Sequence, residues 1–160
     1  MAIPDIRVPA LHLGRKTARE EIVARAESWL TPPVPYSQEK FHDNEYGSYR
    51  TDCSGYVSMA WGIPGRPPNI HGGLDTIGLA LAGFVISRFE LRTGDVVLNS
   101  IGTNLTRHVV LFARWARADR SAYWGYEQAA GAGTRFREFP YPHEISAAHY
   151  LPYRYLLVTD

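Results

Sequence analysis

Thr51-Asp52-Cys53-Ser54-Gly55-Tyr56-Val57 is the stretch from which the rest of the chain is read, because it carries the one cysteine of the sequence. Tyr56, Val57, Ala60 and Trp61 recur at i, i+1, i+4 and i+5, and Gly62 followed by Pro64 ends the element. The spacing predicts a helix over 53–61. Asp52 or Thr51 can cap it through a side-chain oxygen. The cysteine then lies in the first turn, where unpaired N–H groups and the helix dipole favour an anion and lower a thiol pKa. Gly55 keeps that turn free of a side chain, which would let a substrate approach the sulfur closely. A lone cysteine in a folded protein is more often a small buried hydrophobe than a nucleophile. The nucleophilic reading therefore needs partners elsewhere in the chain.

Upstream, residues 1–16 form a proline-marked arm, and residues 17–160 read as one domain. Thr17 stands three residues before Glu20 and offers a capping box for a first helix. Ile22, Val23, Ala26, Trp29 and Leu30 line one face of it, until Pro32 and Pro33 remove backbone donors. Val34 to Arg50 follow neither helical nor strand period and read as a long irregular loop, a kind of segment that is often functional. Leu74 to Leu81 form a third, short helix entered from the Pro-Pro-Asn-Ile-His-Gly-Gly loop at 67–73. Beyond Phe84 the texture changes to short β-branched and aromatic runs: 84–89, 96–99, 108–112, 123–128, 134–139 and 153–158, parted by turns such as Gly94-Asp95 and Gly131-Ala132-Gly133. Helices first and strands afterwards imply an α+β domain, with a helical layer on one face of a curled antiparallel sheet of five or six strands.

Composition narrows the function. A chain of 160 residues can bury roughly two-thirds of its unfolded surface, so it needs no disulfide or metal staple. The 17 basic and 16 acidic side chains leave a formal charge of +1, which argues against a nucleic-acid partner. No basic stripe accompanies Trp29, Trp61, Trp115 or Trp124, so they read as core or cleft wall rather than a base-stacking platform. The N-terminus has no apolar core of about seven residues to serve as a signal peptide, and no run approaches the roughly 20 residues of a bilayer span. A soluble monomer is expected. His42, His71, His143 and His149 show no metal-ligand spacing, and neither metal nor cofactor is expected. Asn104-Leu105-Thr106 matches a glycosylation acceptor, but a glycan beside His108 would obstruct a cleft there, and the match is read as chance.

The partners for Cys53 come from the strand region. A thiolate nucleophile needs an imidazole to take and return a proton. His108 opens the most apolar strand-like run, His108-Val109-Val110-Leu111-Phe112, and a polar residue at the mouth of a buried strand is placed to face a cleft. A third group must fix the imidazole tautomer. Tyr126-Glu127-Gln128 ends the next run and supplies Glu127, with Gln128 as the alternative.

The order of these blocks, Asp-Cys-Ser-Gly-Tyr-Val at 52–57, Leu-Arg-Thr-Gly-Asp-Val-Val at 91–97 and His-Val-Val-Leu-Phe at 108–112, resembles the NlpC-type cysteine peptidases of bacterial cell walls. The resemblance spans residues from about Tyr36 to Gln128 and implies a papain-like fold acting on peptidoglycan or a short peptide, at the cell wall or secreted. It implies Cys53 as nucleophile and His108 as base. NlpC-type enzymes commonly carry a second histidine at the third position. Here Glu127-Gln128-Ala129 instead resembles the Glu-Gln-Asn segment of CHAP amidases, with Ala129 replacing the asparagine. The resemblance further places Tyr36 beside the nucleophile and Asp52 and Ser54 around the free amine of a stem peptide, and Gln128 joins them as a substrate contact. Hydrolysis through a thioester is the leading expectation. Acyl transfer, a non-catalytic binding module and an effector exported without a leader are the alternatives on the same layout.

Overall fold

The computed structural model describes residues 13–64 and 72–160. Most of the expected N-terminal arm, and the part of the 67–73 loop that includes His71, lie outside the described residues. In chain order the elements are β1 (Thr17–Ala18), α1 (Arg19–Glu27), β2 (Phe41–Asn44), β3 (Gly47–Arg50), α2 (Cys53–Trp61), α3 (Thr76–Leu81), β4 (Gly83–Val85), β5 (Val96–Asn99), β6 (His108–Trp115), β7 (Ala122–Ala129), β8 (Gly133–Pro140), β9 (Tyr150–Tyr155) and β10 (Val158–Thr159). The α+β expectation holds. Six strands form an antiparallel sheet in the order β4-β9-β5-β6-β7-β8, and β1 pairs with β10 in a short parallel ribbon.

Helix α2 has the bounds its sequence pattern predicted, and its ends show why. The Asp52 Oδ1 accepts from the Gly55 N–H at 2.8 Å, satisfying one of the orphan donors of the first turn. At the other end Gly62 takes the left-handed conformation at φ 73°. The Ile63 N–H then reaches the Ser58 carbonyl at 2.9 Å and the Gly62 N–H the Met59 carbonyl at 3.0 Å, a Schellman closure. Every residue of α2 is buried, because the helix is wrapped by the sheet, α1 and the β2–β3 hairpin rather than laid on a surface. Its two largest polar handles are satisfied: the Tyr56 hydroxyl donates to the Ala26 carbonyl at 2.8 Å, and the Trp61 indole N–H to the Gly94 carbonyl at 2.9 Å.

The sheet is apolar on both faces. Val96, Leu98, Val109 and Leu111 point into the core shared with Ile22, Trp29, Val57 and Trp61. The alternate residues Val97, Val110 and Phe112 pack with Tyr123 and Phe139 in a second, aromatic-rich cluster on the other side. This strict alternation is the strand period at work. It explains why β5 and β6 read as continuous apolar runs.

Several sequence expectations are corrected. The segment 34–50 is no irregular loop throughout, since β2 and β3 form a hairpin in which Asn44 faces Gly47. Its residues escaped pattern reading because Tyr49 is the one buried side chain among the eight paired positions. The capping box expected at Thr17 does not form: Ala18 is the N-cap, its side chain has nothing to offer the helix, and only its N–H donates to Glu21 Oε1 at 2.9 Å. Thr17 is instead held in β1. The expected run 84–89 splits into β4 and a 3₁₀ turn over Arg88–Glu90, and the last run begins earlier, at Tyr150. Gly55 does not open the first turn to substrate. It is buried, and a Cβ there would stand 2.0 Å from the Arg50 carbonyl oxygen, so the glycine lets the end of β3 press against α2. Accordingly, Gly55→Ala should lower stability by about 1–3 kcal/mol or more, as overpacking against rigid backbone does. Chemical denaturation reads this directly, and a midpoint equal to wild type would contradict the assignment.

Candidate active site

The start of β6 and the end of β7 meet through His108 and Glu127, and the N-terminus of α2 borders a cavity of about 290 Å³. Cys53 is only 8% exposed, yet it lines this cavity and is therefore open to it. Tyr36, Asp52 and Ser54 line the same cavity. His108 sits at the first position of β6, near enough to Cys53 for the thiol to act on its titration.

The imidazole is held from its far side. His108 Nε2 lies 2.8 Å from Glu127 Oε2. A carboxylate can only accept, so Nε2 carries the hydrogen and Nδ1 is the nitrogen left for the thiol. Burial disfavours the charged ring, but hydrogen bonds to Cys53 and Glu127 and their negative charge outweigh it and push the His108 pKa up to about 9. Glu127 is itself 2% exposed. Burial alone would raise its pKa, yet the hydrogen bond and charge of His108, with further bonds from Arg137 and Arg135, hold it down to about 2. The two arginines reach Oε1 at 2.6 Å from Arg135 Nε and 3.0 Å from Arg137 Nε. They do so because β8 places Arg135 directly across from Glu127 in the antiparallel register, with Arg137 two residues along on the same face.

Of the pair at 127–128, only Glu127 meets His108. Gln128 points to the opposite face of β7, is fully buried at 0% exposure, and donates from Nε2 to the Val34 carbonyl at 3.0 Å and to Thr134 Oγ1 at 3.2 Å. With no surface to offer, it is not a substrate contact. Its bond to Val34 ties down the chain two residues before Tyr36. Tyr36 is half-buried and accepts from Gln38 Nε2 at 3.2 Å, and burial first, then the negative charge of Cys53 and Asp52, raises its pKa against the opposing bond from Gln38.

Asp52 and Ser54 face the cavity but are already engaged. Arg50 Nε meets Asp52 Oδ2 at 2.7 Å, and its Nη2 donates to Ser54 Oγ at 3.1 Å and the Leu74 carbonyl at 3.0 Å. Sequence reading missed Arg50, and it missed Arg135, Arg137 and Arg107. The signal for the β8 pair was present as Arg-Phe-Arg, an alternation that puts both guanidinium groups on one strand face. The second imidazole near the site, His143, does not touch His108. It stacks on Tyr150 at 3.9 Å between centroids and bonds the Tyr123 hydroxyl at 2.7 Å, and burial together with the charge of His108 lowers its pKa to about 4. Among the described residues no group of three or more His, Cys, Asp or Glu side chains is placed to hold a metal ion.

No protein-family model and no curated protein matches this chain. Among solved structures it is similar to an NlpC/P60 family protein from Bacillus cereus ATCC 10987, at 14% identity and a TM-score of 0.56, over 89% of this chain and 41% of that one. The likeness establishes the NlpC-type fold. The chain spans less than half of the relative's length.

The His108–Glu127 couple makes stability depend on pH with a definite sign. The folded pKa of His108 exceeds its ordinary 6.5, so the stability it contributes is complete below that value and is lost as pH rises through about 9. The folded pKa of Glu127 lies below its ordinary 4.5, so its contribution is complete above that value and is lost as pH falls toward about 2. Glu127→Gln should therefore move the His108 titration downward and weaken the alkaline decline in stability. Imidazole chemical shifts followed against pH, beside thermal melts, check this, and an unmoved His108 titration would contradict the coupling.

Proposed function

We propose that the protein is a cysteine peptidase or amidase that hydrolyses an amide bond in peptidoglycan stem peptides or a related short peptide. The observation that carries this reading is the grouping of Cys53, His108 and Glu127: a sulfur at the open end of a nine-residue helix, an imidazole close enough for that sulfur to raise its pKa, and a buried carboxylate 2.8 Å from the ring's Nε2. The NlpC-type fold supports a cell-wall substrate, as does the Asp-Cys-Ser-Gly block.

In the reaction the Cys53 proton passes to His108 Nδ1, and the sulfur attacks the amide carbonyl carbon. The negative charge that develops on the carbonyl oxygen needs preorganised donors. Asp52 already takes the N–H groups of Gly55 through its side chain and of Tyr56 through its carbonyl. The Cys53 and Ser54 N–H groups at the helix start are left for the oxyanion, with the Tyr36 hydroxyl at the cavity wall as a third donor. Collapse of the adduct breaks the C–N bond while His108 delivers its proton to the departing amine. Water deprotonated by the same ring then attacks the thioester, and the acid leaves with Cys53 regenerated. Glu127 keeps its negative charge throughout, orienting the ring and stabilising the imidazolium.

Cys53→Ala should abolish hydrolysis while leaving the melting temperature near wild type, and His108→Ala should cost several orders of magnitude in rate. Mass spectrometry of peptidoglycan fragments after incubation reads both and identifies the bond cut. Undiminished cleavage by Cys53→Ala would overturn the mechanism.

A further inference from the structure

Across β9, β5 and β6, Tyr150 stands opposite Asn99 and Asn99 opposite His108. Directly paired residues share a face of an antiparallel sheet, so Tyr150 and His108 project on the same side. The side chain between them in that row is the short Asn99, which turns to the β5–β6 loop: its Nδ2 donates to the Thr106 carbonyl at 3.2 Å and its Oδ1 accepts from the Ile101 N–H at 2.9 Å. Neither His108 nor Tyr150 lines the cavity that Tyr36, Asp52 and Ser54 border. The two rings thus belong to a wall of the site outside that cavity.

Tyr150 is a rigidly held ring with a free end. The His143 imidazole lies flat on it, with 3.9 Å between centroids and 14° between planes. His143 is fixed in turn by the Tyr123 hydroxyl at 2.7 Å, and the Tyr123 ring is stacked on Phe112 and Phe139 in the second aromatic cluster. Gly125 makes room for this arrangement on β7, since a Cβ there would stand 3.0 Å from the Tyr123 ring and 2.7 Å from Val110 Cγ1. A half-buried tyrosine ordinarily finds a partner for its hydroxyl. Among the described residues the Tyr150 hydroxyl has none, yet it is not one of the buried unpartnered atoms, so it is open to solvent and to a ligand. Burial first, then the negative charge of Cys53 and of Glu127, pushes its pKa up to about 12. The phenol is therefore neutral at ordinary pH, with lone pairs to accept a hydrogen bond as well as a proton to donate.

We infer that Tyr150 is a further catalytic residue, whose oxygen accepts the N–H of the scissile amide and so turns the nitrogen lone pair toward His108. The inference deepens the proposed hydrolase reading and rests on it. In the tetrahedral adduct the nitrogen carries one hydrogen and a lone pair. His108 must deliver its proton to that lone pair for the C–N bond to break, so the imidazole stands on the departing-amine side of the sulfur, and the tyrosine that shares its sheet face stands there too. A bond from the N–H to a fixed oxygen stops the nitrogen from turning its lone pair away from the acid. In this step the proton comes from His108, the C–N electron pair stays on nitrogen and the carbonyl re-forms on the thioester, while Tyr150 gains and loses no proton.

The test compares acylation of Cys53 by an amide and by an ester, because an ester oxygen has no N–H to offer. Purified peptidoglycan sacculi supply the amide, with the appearance of fragments followed by mass spectrometry. The ester is p-nitrophenyl acetate, with acylation read from the initial burst of nitrophenolate and Cys53→Ala as the blank. Tyr150→Phe keeps the stacked ring, and its melting temperature should match that of the wild type. Its ratio of amide rate to ester rate should fall roughly tenfold, the weight of one hydrogen bond made in the transition state. His143→Leu, which removes the ring behind Tyr150, should lower the same ratio in part. An unchanged ratio in Tyr150→Phe would overturn the inference, whether both rates hold or both fall together; a common fall is what a donor to the oxyanion or a merely structural role would give. Cys53-dependent fragment release by the wild type with an unchanged ratio in Tyr150→Phe sinks this inference alone, whereas no such release by the wild type sinks the hydrolase reading and this inference with it.

Discussion

A carboxylate with almost no exposure to water, Glu127, is the constraint around which the site is organised. Removing such a charge from water costs several kcal/mol, and it stays ionised only where paired donors surround it. Here they arrive from two directions: Arg135 and Arg137 from β8 at one oxygen, His108 from β6 at the other. The arginines occupy Oε1, which leaves Oε2 to act on the imidazole, and the bond and charge of His108 are the larger part of what keeps the carboxylate ionised. The ring is thereby held with Nε2–H toward the acid, which leaves Nδ1 as the nitrogen available to the sulfur. Three adjacent strands in fixed antiparallel register thus set the protonation geometry of a residue that faces a helix.

A second clamp sets the other half of the site. Arg50, at the end of β3, joins Asp52, Ser54 and the Leu74 carbonyl, so the hairpin, the start of α2 and the approach to α3 are tied at one point. The same Asp52 carboxylate caps α2 through Gly55. Because one side chain both starts the helix and receives Arg50, the position of Cys53 depends on a charge pair as well as on helix geometry. The glycine at 55 makes this possible by removing the one side chain that would stand between the Arg50 carbonyl and the helix.

Much of this was legible from residue order. The bounds of α2 could be read because capping, periodicity and a terminal glycine all agree there. The central strands were visible because they are buried on two faces and so are uninterruptedly apolar. The hairpin at 41–50 was not, since its side chains are mostly half-exposed and carry no alternation; pairing and the turn before Gly47 define it instead. The catalytic candidates Cys53, His108 and Glu127 were found by type and order, and the structure brings all three together. Gln128 could not be separated from Glu127 by composition, because the deciding fact is which face of β7 each one takes. The arginines escaped notice for a related reason. An arginine on a strand reads as a solvated surface charge until the register shows what lies across from it.

The account stands on Cys53 owing its reactivity to His108, and on His108 owing its posture to Glu127. The most direct measurement is the rate of alkylation of the single thiol by iodoacetamide at pH 7, followed by intact mass, in the wild type, His108→Ala and Glu127→Gln proteins. The wild-type rate should exceed that of His108→Ala by at least about tenfold, with Glu127→Gln between them. Equal rates in all three folded proteins would contradict it.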